Sequence, residues 1–341
     1  MKSVAKKQKM KKSFTLIELV VAVALFAMVF AFTGMIFKVC INSYRTAGAN
    51  AEIIQKLRAI TDQLNADFKG IRTDAPLLIW FYEDSSPTNP NRYDQIMFFA
   101  DGDFQSTQLY DYGLSPVVPS VPVPSPTGPE YPVMGNVARI FYGQAQPDPN
   151  LLARRQHILT ADLNLDQWPP DNMLDFNDFA AAGADKRNER YEHDSNSLAQ
   201  WKIVAGSDYD NEIIPACFNF RPYIHKGDPN TFQKLMCEGV GSFAIQWAYW
   251  DSVDGKFYWY PSSTHFINLI GNSEFGVFFN VPAPPISYIN WYSVDNVQYR
   301  SGSNFLVGFY PKALKFTFTL YDSKAVFKEG RTFTHIVYLG N

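Results

Sequence analysis

The chain opens with a long uncharged stretch that is followed by a striped, amphipathic one. No charged residue occurs from Leu19 to Phe37, a run of 19 residues. With the apolar residues before it, a helix of this length crosses a hydrocarbon layer of ~30 Å. Further along, apolar residues recur at spacings of three and four, which predicts one buried helix face that ends near Gly70. This stripe consists of Ile53, Leu57, Ile60, Leu64, Phe68 and Ile71.

After Pro76 the helical spacing gives way to short β-branched and aromatic runs bounded by turn formers. Polar and apolar residues alternate in Lys315–Leu320, as expected for a strand with one buried face. Asp254-Gly255 is a hairpin-turn signal. We therefore predict an α+β fold, in which a long N-terminal helix packs on a mainly antiparallel β-sheet head. The predicted strands are Leu77–Tyr82, Gln95–Ala100, Val137–Tyr142, Gly241–Trp250, Lys256–Tyr260, Gly276–Val281, Ala313–Tyr321 and Thr332–Leu339.

Two segments interrupt the strand pattern. Residues 116–132 contain seven prolines, which exclude a helix or a central strand and predict an exposed, semi-rigid loop. Residues 160–210 are rich in Asp and Asn, and predict a solvated insertion. One weak calcium candidate lies within it, formed by Asp162, Asn164 and Asp166. These alternating oxygen ligands fit a calcium loop, but Gly is missing at the sixth position and Met173 stands where the bidentate Glu should be.

The amino-acid composition argues against some classes of function. The formal net charge is −3, which argues against a nucleic-acid-binding body with a basic stripe. Aromatic residues make up 16% of the chain, which favours a β-rich core over a sugar-binding platform. Of the three cysteines, Cys40 follows the apolar stretch. Cys217 and Cys237 are the candidate disulfide of an exported body, and the sequence leaves open whether they lie within bridging distance.

The N-terminus has the charge pattern of a membrane anchor. Six lysines precede the apolar stretch, namely Lys2, Lys6, Lys7, Lys9, Lys11 and Lys12. They predict a cytoplasmic N-terminus and an extracytoplasmic head. An ordinary signal peptide cut at Ala47-Gly48-Ala49 would need a shorter apolar run, and Lys38-Val39 does not suit a lipoprotein site at Cys40. A plain signal anchor leaves Glu18 unexplained, because a carboxylate in a membrane helix is costly and needs a partner.

The segment Lys11-Lys12-Ser13-Phe14-Thr15-Leu16-Ile17-Glu18-Leu19 resembles the class III signal of type IV prepilins and type II secretion pseudopilins. The resemblance implies that prepilin peptidase cuts between Ser13 and Phe14 and methylates the Phe14 amine. Ser13 replaces the usual Gly, so we expect slower cleavage. Glu18 would then pair with the Phe14 amine of a neighbouring subunit during assembly, which would offset the cost of burying both charges.

The remainder of the chain resembles the J-type minor pseudopilins in the order of several features. Among them are Leu64-Asn65-Ala66-Asp67-Phe68, Leu151-Leu152-Ala153-Arg154-Arg155, the segment Val240–Pro261 and Pro311-Lys312-Ala313-Leu314-Lys315. The predicted division is a cleaved leader at 1–13, a membrane half of the helix at 14–40, an amphipathic half at 41–71 and a head at 72–341. The resemblance implies a tip subunit of the pseudopilus whose partners are I-type and K-type subunits.

No nucleotide loop, nucleophile elbow or zinc helix occurs in the sequence. We therefore expect a structural subunit without catalysis or cofactor, anchored in the bacterial inner membrane. Two alternatives remain. One is a membrane-anchored binding module for glycans or other ligands that would use Trp247, Trp250, Trp259 and Trp291. The other is a DNA-uptake minor pilin, which the acidic balance disfavours.

Overall fold

The computed structural model describes most of the chain in separate ranges. These are residues 15–82, 91–111, 130–145, 148–160, 192–194, 197–199, 201–202, 224, 234–251, 255–261, 274–280, 291–294, 297–300, 304–307 and 310–339. The helix is α1, Leu16–Lys69. The strands are β1 Leu77–Tyr82, β2 Gln95–Asp111, β3 Glu130–Gln144, β4 Leu151–Leu159, β5 His193–Asp194, β6 Leu235–Glu238, β7 Val240–Asp251, β8 Lys256–Tyr260, β9 Glu274–Phe279, β10 Trp291–Val294, β11 Val297–Arg300, β12 Asn304–Val307, β13 Ala313–Leu320 and β14 Arg331–Tyr338.

Helix α1 is continuous over 54 residues and belongs to both compact units of the chain, Met1–Glu52 and Ile53–Asn341. The sequence predicted its end correctly. A Cβ on Gly70 would lie 2.0 Å from the carbonyl oxygen of Asp101, so only glycine allows this close approach of backbone. The Asp101 amide donates to the Gly70 carbonyl at 2.7 Å, which attaches the end of α1 to β2.

Ile53–Asn341 contains two sheets rather than the single sheet that the alternation led us to expect. In the described residues, the larger sheet has the order β10-β11-β12-β9-β1-β2-β3-β4-β5, with β6 also pairing with β4. The smaller sheet has the order β14-β13-β7-β8. Pairing is mainly antiparallel; β12 with β9 and β4 with β5 are parallel. The α+β prediction is thus confirmed in outline.

The predicted stripe of α1 is buried in the head, as the helical spacing indicated. Ile53, Ile60, Leu64 and Phe68 are at most 3% exposed, and Leu57 is partly buried. The Phe68 ring lies 4.2 Å from that of Phe98 on β2 and 5.5 Å from that of Phe316 on β13. The core therefore uses both sheets and not the C-terminal strands alone.

Several predicted boundaries need correction. The proline-rich loop is shorter than predicted at its C-terminal end, because β3 begins at Glu130 and Pro132 pairs with Leu109. The ladder is irregular between Gln105 and Leu109, and such a place tolerates a residue without an N–H. Strand β9 lies two residues earlier than predicted. Strands β4, β5, β6 and β10–β12 were not predicted. The shorter ones carry little alternation, and the start of β4, Leu151–Arg155, was read as a family feature and not as a strand.

Candidate processing and assembly site

The residues at the predicted cut, Ser13 and Phe14, lie outside the described part of the chain, which begins at Thr15. Cleavage and methylation there remain predictions. The structure does describe Thr15 and Glu18, which form the first turn of α1. Their contacts show how the chain enters the helix directly after the predicted cut.

Glu18 closes a capping box with Thr15. One carboxylate oxygen, Oε2, accepts the Thr15 backbone N–H at 2.9 Å and the Thr15 hydroxyl at 2.9 Å. The Glu18 amide donates to Thr15 Oγ1 at 3.4 Å. Backbone N–H groups in the first turn of a helix have no partner within the helix, and this reciprocal arrangement satisfies two of them. The spacing Thr-x-x-Glu was present in the sequence, but our reading assigned Glu18 only to assembly and overlooked Thr15.

Helix α1 presents apolar side chains around its whole circumference in the first unit. Every described side chain from Thr15 to Gly48 is exposed, including Phe26 at 64% and Phe37 at 63%. Among the described residues, α1 is the one helix long and apolar enough to cross a membrane by length and composition. An apolar surface on all sides of a helix suits lipid or neighbouring helices.

In Ile53–Asn341, a buried ion pair fixes the last turns of α1. Arg154 Nε and Nη2 donate to the two carboxylate oxygens of Asp67 at 2.6 and 2.8 Å. The Tyr142 hydroxyl and Gln63 also donate to Asp67. Burial raises the pKa of Tyr142 well above its ordinary value, and the neighbouring Asp67 carboxylate raises it further, so the phenol keeps its proton. This cluster ties α1 to β3 and β4 with charge-assisted hydrogen bonds.

A second buried ion pair joins the two sheets. Asp94, fully buried, accepts the Ile245 amide of β7 at 2.6 Å and the Tyr82 amide of β1 at 3.2 Å. Arg92 pairs with Asp94 and donates to the Ile245 carbonyl at 3.0 Å. Burial raises the pKa of Asp94 to about 6, against the lowering effect of Arg92 and the two amides. Sequence reasoning missed this pair, because nothing local distinguishes it from a solvated Arg-x-Asp.

The other candidate residues are scattered. Cys237 is buried on β6 and donates to the Glu238 carbonyl at 3.4 Å, whereas Cys217 lies outside the described residues, so the disulfide stays a prediction. The calcium candidates Asp162, Asn164 and Asp166 also lie outside them. No group of three or more metal-binding side chains occurs within the described ranges.

Two tryptophans of the alternative sugar platform can be placed. Trp247 is 3% exposed and stacks against Tyr260 with ring centroids 5.2 Å apart, so it belongs to the core. Trp259 is half-buried beneath Lys315, whose Nζ lies 4.7 Å from the ring centroid. The side chains of Trp250 and Trp291 are outside the described set. The platform predicted from the sequence therefore loses Trp247.

The comparisons with known proteins bear on the N-terminus alone. A family model described as the prokaryotic N-terminal methylation motif matches residues 8–34. No curated protein and no solved structure matches this chain. The matched span covers the residues on both sides of the predicted cut and includes the Thr15–Glu18 capping box. Residues 8–34 of this chain therefore carry a type IV pilin-like, prepilin-type signal of the kind that prepilin peptidase processes, and the long apolar helix that contains most of it suits single-pass membrane anchoring.

Proposed function

We propose that the chain is a minor pseudopilin, most like the J-type, that occupies the tip of the pseudopilus in a type II secretion system or a related type IV pilus-like machine. The methylation motif at residues 8–34 carries the proposal. It is supported by the exposed apolar half of α1 and by a head held on the second half of the same helix. This arrangement suits a subunit that joins a filament through its helix and presents its head.

The Asp67–Arg154 pair supports the J-type assignment. These residues belong to two features by which the chain resembles J-type subunits, Leu64–Phe68 and Leu151–Arg155. They are separated by 87 positions in the sequence and meet at 2.6 Å. The two sequence features, one on α1 and one on β4, are thus in direct contact in the folded head.

The proposed orientation follows from charge. Six lysines before the apolar run keep the leader cytoplasmic and place the head on the periplasmic side of the inner membrane. The head acts by binding I-type and K-type subunits, without catalysis or cofactor. Helical filaments grow by head-to-tail contacts that do not close, and such contacts require only complementary surfaces.

Processing is tested by intact-mass and N-terminal analysis of the full chain extracted from membranes. The expected mature protein begins with methylated Phe14. Ser13→Gly is the matched variant, because restoring the usual glycine should speed cleavage without changing the cut. A mature chain that starts at Ala49 or later would show an ordinary signal peptide and overturn the proposal.

Assembly is tested at Glu18, which has both a capping role and the proposed pairing role. Glu18→Ala should still enter the membrane, since it removes a charge from lipid, but its crosslinking to other pseudopilins should fall at least tenfold. Thr15→Ala removes the cap and keeps the carboxylate. If Thr15→Ala reproduced the full assembly defect, capping would account for Glu18 and intersubunit pairing would be wrong.

The alternative is a membrane-anchored binding module for glycans or other ligands, which would use aromatics such as the half-buried Trp259 and the exposed Phe257. Titration of the detergent-extracted full chain with peptidoglycan and cellulose fragments distinguishes it from a pseudopilin. Tight binding to a fragment, together with no complex with neighbouring prepilin-like proteins, would favour this alternative. Co-elution with I-type and K-type subunits would favour the tip role.

A further inference from the structure

Among the described residues, the smaller sheet ends in a strand whose outer edge has no strand paired with it. Strand β14, Arg331–Tyr338, pairs with β13 over eight positions. It is terminal in the sheet order of the described residues. Natural proteins protect such edges with proline, lysine, a bulge or a very short strand. Residues 332–338 contain none of these devices.

The register shows which backbone groups face outward. On β7, the Phe243 amide and carbonyl bond to Arg92 and Asp94, away from β13. Phe318, which lies opposite Phe243, therefore turns its own N–H and C=O toward β14 and forms a hydrogen-bonded pair with Phe333. Such pairs alternate with pairs that have no mutual hydrogen bonds. Arg331, Phe333, His335 and Val337 therefore turn their N–H and C=O groups toward β13. The groups that point to the open edge belong to Thr332, Thr334, Ile336 and Tyr338.

The four outward-bonding residues also have exposed side chains. Tyr338 is 71% exposed, Ile336 is 38% exposed, and both threonines are exposed. All four are β-branched or aromatic and uncharged, which favours a strand as their neighbour. An edge with these properties is a template for pairing with a second chain.

The edge adjoins the helix through which the subunit assembles. His335 Nε2 lies 2.9 Å from Asn65 Oδ1 of α1, and the Asn65 side chain is exposed. The open edge of β14 is thus continuous with an exposed turn of α1 in Ile53–Asn341. A neighbouring subunit that packs against this turn of α1 comes within reach of the edge.

We propose that β14 receives an extended, uncharged segment of a neighbouring pilin-like subunit, which adds a strand to the smaller sheet through Thr332, Thr334, Ile336 and Tyr338. We assign this segment to another subunit because the β14 edge borders α1, the helix through which subunits assemble. We expect the residues of the segment that face β14 to be uncharged, because the side chains at this edge are uncharged. This inference rests on the proposed function and adds the contact by which the head recognises its neighbour.

The test uses the full chain in detergent and, as probes, the other proteins with an N-terminal methylation motif encoded beside it. Thr334→Pro removes one outward N–H without touching the ladder to β13. Thr334→Ala, the control, removes the side chain and keeps that N–H. Thr334→Pro should reduce crosslinking and co-elution at least tenfold, Thr334→Ala less than twofold, and both should melt within about 3 °C of the unmodified chain.

Residue-resolved hydrogen exchange provides a direct measurement. In the complex, the amides of Thr332, Thr334, Ile336 and Tyr338 should exchange at least tenfold more slowly than in the free chain. The amides of Phe333, His335 and Val337 should be protected in both. Unchanged exchange at the outward amides in a formed complex would overturn the inference, as would β14 pairing only with a second copy of itself.

The two proposals fail in different ways. If the chain is cut at Phe14 and Thr334→Pro still joins its neighbours normally, the β14 contact is wrong and the pseudopilin assignment stands. If the chain is neither cut at Phe14 nor joined to any prepilin-like protein, the proposed function fails, and the β14 inference fails with it.

Discussion

The two halves of α1 differ in how their apolar residues are covered. From Thr15 to Gly48 every described side chain is exposed. In the second half, Ile53, Ile60 and Leu64 are at most 1% exposed because the sheets of the head cover that face. One helix is therefore built for two environments: lipid or neighbouring helices for an all-round apolar surface, and the head's own core for a single stripe.

The sharpest test of this difference places the same substitution in each half. Leu64→Asp puts a carboxylate into a fully buried site and removes a side chain whose burial contributes about 1.5–3 kcal/mol. We expect the head to unfold, as shown by rapid proteolysis and loss of the near-ultraviolet circular dichroism of the extracted full chain. Membrane insertion should be unaffected.

Leu25→Asp is the matched variant in the first half, where Leu25 is 58% exposed. A charge near the bilayer centre costs about 2.5–3.5 kcal/mol on insertion scales, so the membrane-inserted fraction should fall while the head stays protease-resistant. An unfolded head in Leu25→Asp, or a stable one in Leu64→Asp, would contradict the division of α1.

A smaller effect is expected where α1 joins the larger sheet. Asp67→Ala leaves the partly buried Arg154 without its carboxylate, and removing one partner of such a hydrogen-bonded pair costs about 1–3 kcal/mol. Thermal melting of the head should shift accordingly. Asp62→Ala, at an exposed position of the same helix, should change the free energy of unfolding by less than about 0.5 kcal/mol.

The contact between the two sheets predicts a pH dependence. The pKa of Asp94 is about 6 in the folded chain and ~3.9 when unfolded, so the folded state binds this proton more tightly. The contribution of Asp94 to stability is therefore greatest below pH ~4 and is lost as the pH rises through about 6, by about 3 kcal/mol in all. Asp94→Asn should lack this component. The difference in the free energy of unfolding between the unmodified chain and this variant, obtained from melting curves, should therefore change as the pH rises from 4 to 6. A difference that is independent of pH between 4 and 6 would contradict it.

The smallest effect belongs to the first turn of α1. Thr15→Ala removes the N-cap, which costs ~1 kcal/mol. In detergent micelles the amides of Leu16 to Glu18 should exchange about fivefold faster. The amides beyond Gly34 should be unchanged, because capping acts within the first turn. Equal exchange in both proteins would show that the capping box does not hold this end.

The sequence was sufficient to predict the structural features that depend on residues close together in the chain. The stripe of α1, its end at Gly70 and the alternation of β13 each repeat within a few residues, and all three are present in the structure. The division into two sheets was not foreseeable, because β7 joins β13 and not the strands that precede it. Asp67 and Arg154 were both noted as parts of motifs, but no local pattern indicates that residues 87 positions apart pair.

The attachment of α1 to the larger sheet has a mechanical consequence. When a force acts along the helix, the head follows only if that load reaches it. Two of the links that would carry such a load join the end of α1 to the larger sheet: Asp67 to Arg154 on β4, and the Gly70 carbonyl to the Asp101 amide on β2. Both contacts lie at the end of the helix and both engage the larger sheet. A force on the helix is therefore shared there between a charged pair and a backbone hydrogen bond. A pull on the helix therefore acts on β2 and β4 together and not on a single strand.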